Sequence, residues 1–362
     1  MSEVGAPLES LDTPALWVDL EAMEANIAAL AAAFGEAGID WRPHIKGIKV
    51  PAIAQRLVRA GAIGVTCAKL GEAEVMARAG IDDILVANQV VGPAKIRRLV
   101  HLSRRTGVKV AVDDADNAAQ IGAAAAGVGA EVGVLVEVDT GMARAGVRPG
   151  EAAVELSRLV HATPGLRYRG LMAWEGHAAR VSDFEEKREV VAAALALLRD
   201  SAEQCRAAGL PVEIVSGGGS ITYTITPALG VVSEIQAGGA VFSDVTYRDR
   251  HVETEPAIFL RATVTSRPTP TRVVCDAGFK ALPSWYREPE PLGLPALSQF
   301  RSSAEHGILD LETAESGIKV GDAINFIPGY TDSTLFLHDT LYGVRRGVVE
   351  SVWPVEARGK LR

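Results

Sequence analysis

The segment Arg42-Pro43-His44-Ile45-Lys46 ends the first strand-like run of the chain on a lysine. A lysine at a strand end is either a salt-bridged rim residue or an amine whose pKa burial depresses, ready to condense with a carbonyl. Cys67-Ala68-Lys69 and Asn88-Gln89 close the next two strand-like runs. The fifth closes in Asp139-Thr140-Gly141-Met142-Ala143-Arg144-Ala145-Gly146, where an arginine held between glycines can bind an anionic oxygen. The sixth closes in Trp174-Glu175-Gly176-His177, whose indole can stack on a ring or fill the core. The seventh and eighth close in Ser216-Gly217-Gly218-Gly219-Ser220 and Gln236-Ala237-Gly238-Gly239. Glycine loops leave backbone N–H groups bare enough to approach a phosphate dianion. Lysine opposite a phosphate cradle suggests pyridoxal 5′-phosphate (PLP), held by Lys46 as an aldimine.

These residues need a frame that gathers strand ends. Apolar, β-branched runs at 40–46, 61–69, 82–91, 107–114, 131–140, 166–176, 210–220 and 231–239 predict eight strands. Helical runs at 72–80, 93–107 and 183–209 lie between them. Continuous apolar strands alternating with amphipathic helices imply parallel strands covered by helices. Eight such units predict a (β/α)8 TIM-type barrel, with an open doubly wound sheet as the alternative. In such a barrel the chemistry sits at the C-terminal strand ends, where the residues above lie.

After residue 255 the pattern changes to strand-like runs separated by Pro, Gly and charged turns, including AIFLRATVTSR, TRVVCDAG, DAINFIPG, STLFLHDTLYGVR and GVVESVWPV. This predicts a C-terminal antiparallel β domain, with EPEPLGLPALS as a loop inside it. TPALWVDL near the start is also strand-like and can pair with that domain. The division expected is 20–255 for the barrel and 1–19 plus 256–362 for the β-rich domain.

The 362 residues carry 37 Lys+Arg against 45 Asp+Glu, a formal charge of −8, with 48% hydrophobic residues. These proportions exclude global disorder, and the acidic balance argues against nucleic-acid binding. The three cysteines, Cys67, Cys205 and Cys275, form no disulfide framework, and the first residues lack a basic stretch before an apolar core. A reducing cytoplasm is the expected location. No apolar run approaches the roughly 18 residues of a membrane span.

RPHIKGIK, CAKLGEAEVMARAGIDDILVANQVV, DTGMARAGV, GLMAWEGH, VSGGGSITY, EIQAGGAVFSD, VCDAGFKAL, EHGIL and PGYTDSTLFLHDTLYGVR together resemble the D-threonine aldolase / D-serine dehydratase family of alanine-racemase-like (fold type III) PLP enzymes. The resemblance runs from Asp12 almost to the C-terminus. It implies that Lys46 is the PLP lysine, with Lys49 as its competitor. It implies Arg144 beside the PLP phenolic oxygen, Gly219, Ser220, Gly238 and Gly239 around the phosphate, and Ser216 among the cofactor-binding residues. Gln236 then stands where relatives place the partner of the pyridine nitrogen, and Trp174 where relatives usually have Tyr.

The departure lies near the C-terminus. Relatives read P-x-H-C-D, whose His with the Cys or Asp binds a divalent metal; here Pro328-Gly329-Tyr330-Thr331-Asp332 retains only the Asp. One carboxylate, a phenol and a hydroxyl make a poor site for Zn²⁺ or Mn²⁺. No metal is therefore expected, unless other residues such as His177 and His306 rebuild a site. Dehydration benefits most from a Lewis acid at the leaving hydroxyl, whereas retro-aldol cleavage needs only a base at the β-hydroxyl. The expected activity is aldolase-type cleavage of a small D-3-hydroxy amino acid, with Lys46, Arg144, Tyr330 and Asp332 in the chemistry. A dehydratase/deaminase, or a racemase using Lys46 and Tyr330, are the alternatives. A non-catalytic PLP carrier is disfavoured by the presence of a β domain. The resemblance also implies a homodimer in which Tyr330 and Asp332 act on the partner's site.

Overall fold

The computed structural model describes residues 3–314 and 317–362. The chain divides into two compact units, one formed by Leu30–Gly238 with Gly359–Arg362, the other by the chain up to Ala29 with Gly239–Arg358.

In the first unit eight strands form one parallel sheet. Their order is Asp40–Trp41, Glu234–Ile235, Ile214–Gly217, Leu166–Met172, Val132–Glu137, Lys109–Val112, Ile84–Gln89 and Val65–Cys67. The ring closes where His44, beyond the first strand, bridges Thr66 of the second, and the Thr66 N–H donates to the Pro43 carbonyl at 2.9 Å. Helices Pro51–Arg59, Leu70–Arg78, Pro93–Ser103, Ala115–Ala126, Glu151–Ala162 and Phe184–Ala207 follow the first six strands. After the seventh strand a short turn, Pro227–Leu229, stands where a helix would. Every side chain of Val65–Cys67 and Lys109–Val112 is buried, as strands covered on both faces require. Leu85, Ala111, Leu135, Met172 and Ile214, each from a different strand, pack together in the interior.

The second unit is a nine-stranded sheet. Ala15–Asp19 lies between Ile258–Thr269, to which it is antiparallel, and Thr340–Arg345, to which it is parallel. The domain is thus mostly antiparallel, with a parallel pair between Ala15–Asp19 and Thr340–Arg345. Sequence patterning misread two segments: Glu290–Pro291, inside the expected loop EPEPLGLPALS, pairs as a strand with Ile327 and Phe326, and STLFLH forms a helical turn, Thr331–Thr334, then Leu335–Leu337. The cause of the second is local, since the Ser333 and Thr334 hydroxyls donate back to the Tyr330 carbonyl at 2.9 and 3.0 Å. Leu297–Ser302 and Gly307–Leu311 form a hairpin that patterning did not predict.

Candidate active site

Beyond the first strand the backbone keeps pairing as far as His44, whose N–H donates to the Gln236 carbonyl at 3.1 Å. The turn Ile45–Gly47 then lifts Lys46 into an exposed position. His44 Nδ1 accepts the Lys46 N–H at 3.4 Å and caps that turn. Burial, then the charges of Lys46, Lys49 and Arg144, push the His44 imidazole well below its usual range, so it is neutral. Lys49 is buried and ion-paired with Glu72. Glu72 also accepts the Ala68 and Lys69 N–H groups at 2.8 and 3.1 Å, fixing the start of Leu70–Arg78.

At the end of the fifth strand Glu137 is buried and accepts from Gln89 Nε2 at 2.6 Å. Burial pushes its carboxyl upward; Gln89 and Arg144, whose Nη2 lies 3.7 Å away, oppose that shift. Asp139 Oδ1 accepts the N–H groups of Gly141 and Ala143 at 3.0 Å each, which sets the curve of the loop that presents Arg144. His177 packs on this loop, its Cε1 3.1 Å from where a Gly141 Cβ would stand. Its Nδ1 is buried with no hydrogen-bond partner among the described residues.

At the ends of the seventh and eighth strands the two glycine loops are shaped by close approaches. A Cβ on Gly219 would strike the Trp174 ring, and one on Gly238 would run into the His44 backbone. Only glycine permits either contact. Gln236 Nε2 donates to Ser216 Oγ at 2.9 Å, and both residues are buried. Ser220 is buried in the same loop. Gly239 begins the second unit, packed against the Tyr247 phenol. Behind the seventh-strand loop lies a carboxylate that sequence reasoning did not single out. Glu175 is fully buried and accepts from Thr222, Thr226 and Gly218. The available signal was Thr222 and Thr226, one helical turn apart after the glycines.

In the second unit the Tyr330 hydroxyl donates to Asp332 Oδ2 at 2.8 Å. Its ring packs against Tyr286, Trp285 and Tyr247, with centroids 5.2, 5.9 and 6.1 Å away. Burial, then Asp332, Asp244 and Tyr286, push the phenol's pKa strongly upward, so it keeps its proton. Asp244 is buried and accepts the Tyr247 and Thr331 N–H groups at 2.9 and 2.7 Å. Burial outweighs those bonds and raises Asp244 to about 7. Among the described residues no group of three or more His, Cys, Asp or Glu is placed to hold a metal ion. The two histidines considered for a rebuilt site fall in different units, His177 in the first and His306 in the second.

Residues 18–245 match the family model for the alanine racemase N-terminal domain, and residues 257–344 that for a putative serine dehydratase domain. The chain is 37% identical to the D-threonine aldolase of Arthrobacter sp, over 99% of this chain and 96% of that one. It is 37% identical to the 3-hydroxy-D-aspartate aldolase of Paracoccus denitrificans (strain Pd 1222), over 98% of this chain and 94% of that one. The crystal structure of D-threonine aldolase from Filomicrobium marinum superposes with a TM-score of 0.97 at 37% identity, covering 100% of both chains.

Proposed function

The chain belongs to the alanine-racemase-like family, in its D-threonine aldolase and D-serine dehydratase branch, a PLP-dependent group; from that premise we propose that it is a PLP-dependent lyase cleaving the Cα–Cβ bond of a small D-3-hydroxy amino acid. Two observations support PLP as the cofactor. The loops at Gly219 and Gly238 pack so closely on the Trp174 ring and the His44 backbone that only glycine fits, which leaves their N–H groups bare of side chains, and the exposed Lys46 stands at the adjoining strand end while Lys49 is committed to Glu72. When bound, PLP supplies the electron sink that accepts the pair left at Cα.

The rest of the work falls to this chain's groups. Lys46 Nζ holds the cofactor and returns a proton to Cα after cleavage. Arg144 is steadied by Glu137 and places a fixed cation against a developing oxyanion. The β-hydroxyl proton must leave for the bond to break and the aldehyde to depart. His177, with its unpartnered Nδ1 beside the Arg144 loop, is suited to accept it. Tyr330 keeps its proton and gives it to Asp332, so toward a substrate hydroxyl its oxygen is left to accept, with Asp332 fixing the direction of its O–H. A two-base racemase would need Tyr330 ionised, and its surroundings oppose that. The putative serine dehydratase model over residues 257–344 favours dehydration as the second reading.

The observation that carries the proposal is an exposed lysine at a strand end beside two close-packed glycine loops, in a chain 37% identical to aldolases along its length. A panel of D- and L-3-hydroxy amino acids offered to the holoenzyme tests it. Aldehyde plus glycine from the D isomers is expected. Keto acid plus ammonia would make it a dehydratase, and inverted amino acid a racemase.

A further inference from the structure

We propose that Glu175 is a positioning residue for the cofactor's phosphate, acting through the glycine loop it fastens; this rests on the reading of that loop as the phosphate cradle. Glu175 follows the sixth strand, one residue beyond Trp174, and its side chain is fully buried. Its Oε1 accepts the hydroxyls of Thr222 and Thr226 at 2.8 and 2.9 Å, and its Oε2 accepts the Gly218 N–H at 3.3 Å. Thr222 and Thr226 are themselves fully buried and stacked on one turn, the Thr226 N–H donating to the Thr222 carbonyl at 2.8 Å.

The arrangement reaches one residue further. Thr222 gives its only hydroxyl proton to Glu175, so a lone pair on its oxygen is left to accept the Gly219 N–H at 3.2 Å. One carboxylate therefore sets two successive peptide planes of the loop, Gly218 directly and Gly219 through Thr222. Trp174 packs on the same loop, its ring 2.5 Å from where a Gly219 Cβ would stand. The sixth-strand end thus holds the seventh-strand loop through two successive residues. A carboxylate buried among these neutral donors is costly to desolvate. What it secures is a loop shaped before any ligand arrives, which spares binding the cost of ordering it.

The test compares PLP with pyridoxal, which has the same ring and aldehyde but no phosphate. Both are titrated into the full-length chain freed of cofactor. Glu175→Gln keeps the volume and can still accept from the threonines, but its amide cannot accept the Gly218 N–H. A buried hydrogen bond to a charged acceptor implies a loss of PLP affinity of ~10–100-fold. Pyridoxal affinity stays at its wild-type value, so the preference for PLP collapses. Thr222→Val, which breaks the relay to Gly219, gives the same pattern and carries the test should the Gln variant fail to fold. Variants that keep the wild-type preference overturn the proposal, as does a parallel loss for both ligands that tracks a fall in Tm. A wild type with no preference for PLP over pyridoxal overturns the cradle reading, and this assignment with it.

Discussion

Two lysines three positions apart look alike in the sequence, and the partner that separates them is remote. Glu72, 23 residues from Lys49, takes that ammonium into a buried pair and leaves Lys46 as the exposed amine. Nothing in RPHIKGIK shows this, because the pairing depends on the second strand bringing the next helix alongside. Two outcomes follow. Lys46→Ala abolishes the visible absorbance of the lysine-bound cofactor. Lys49→Met preserves it but strands the buried Glu72, costing ~3–5 kcal/mol in urea unfolding. The reverse pattern would move the cofactor to Lys49. Tyr330 was legible as a substitution for histidine with Asp332 beside it, but not in its ionisation, since burial leads the shift and Asp244 and Tyr286 come from separate stretches. Tyr330→Phe keeps the ring packing and removes the hydroxyl, so turnover falls by ~10²–10⁴-fold with the cofactor still bound. A fully active Phe variant would take Tyr330 out of the chemistry.

Elements were easiest to read where strands are buried on both faces, because composition alone marks them. Val132–Glu137 and Ile84–Gln89 lie inside their predicted runs. What closes the ring was not legible. Arg42, buried beyond the first strand, donates through Nε to both oxygens of Glu234 at 2.9 and 3.0 Å. It also pairs with Asp83, which takes Lys109 Nζ at 2.6 Å. Four elements are joined there by residues that patterning treats as ordinary charges. Arg42→Met leaves Glu234 without its cation and lowers stability by ~3–5 kcal/mol in denaturant titration. Burial would raise Asp83, but Arg42 and then Lys109 hold it below the ordinary carboxylate range. A folded pKa below the unfolded one gives stability that is present above the unfolded value of about 4 and lost as pH falls through the folded one. The wild type is therefore more stable than Asp83→Asn at neutral pH, and the gap closes in acid. A constant gap down to about pH 2 would contradict the pairing.

At the scale of the molecule, the alternation of strands and helices made the barrel legible, but not which flanking segments join which unit. Residues 20–29 and 239–255 belong with the β-rich unit. Asn26 ties them together, donating to the carbonyls of Val241 and Glu255 and accepting the Glu255 N–H at 3.0 Å, a polar link that no periodicity announces. The metal expectation belongs to the same scale, because a site can draw donors from anywhere in the chain. The seven histidines are dispersed. His101 and His161 ride on outer helices, and His44 caps the Lys46 turn. His177 packs on Gly141, His306 lies 3.4 Å from Ser303 Oγ, and His338 Nε2 lies 2.8 Å from the Ala281 carbonyl oxygen. His251 stands at a positive-φ position just past the short helix Val245–Arg248. Cys67, Cys205 and Cys275 are each buried and free. Where the resemblance implies a metal-binding histidine, this chain offers a phenol that keeps its proton. A protonated phenol is not a donor that Mn²⁺ or Zn²⁺ selects at neutral pH. Holoenzyme dialysed exhaustively against EDTA, with PLP retained, is therefore expected to cleave its substrate at the untreated rate, and added Mn²⁺ to leave that rate unchanged. Activity that disappears with the chelator and returns with Mn²⁺ would mean that Asp332 recruits ligands from elsewhere. The donor set at Tyr330-Thr331-Asp332 would then be the wrong place to judge it.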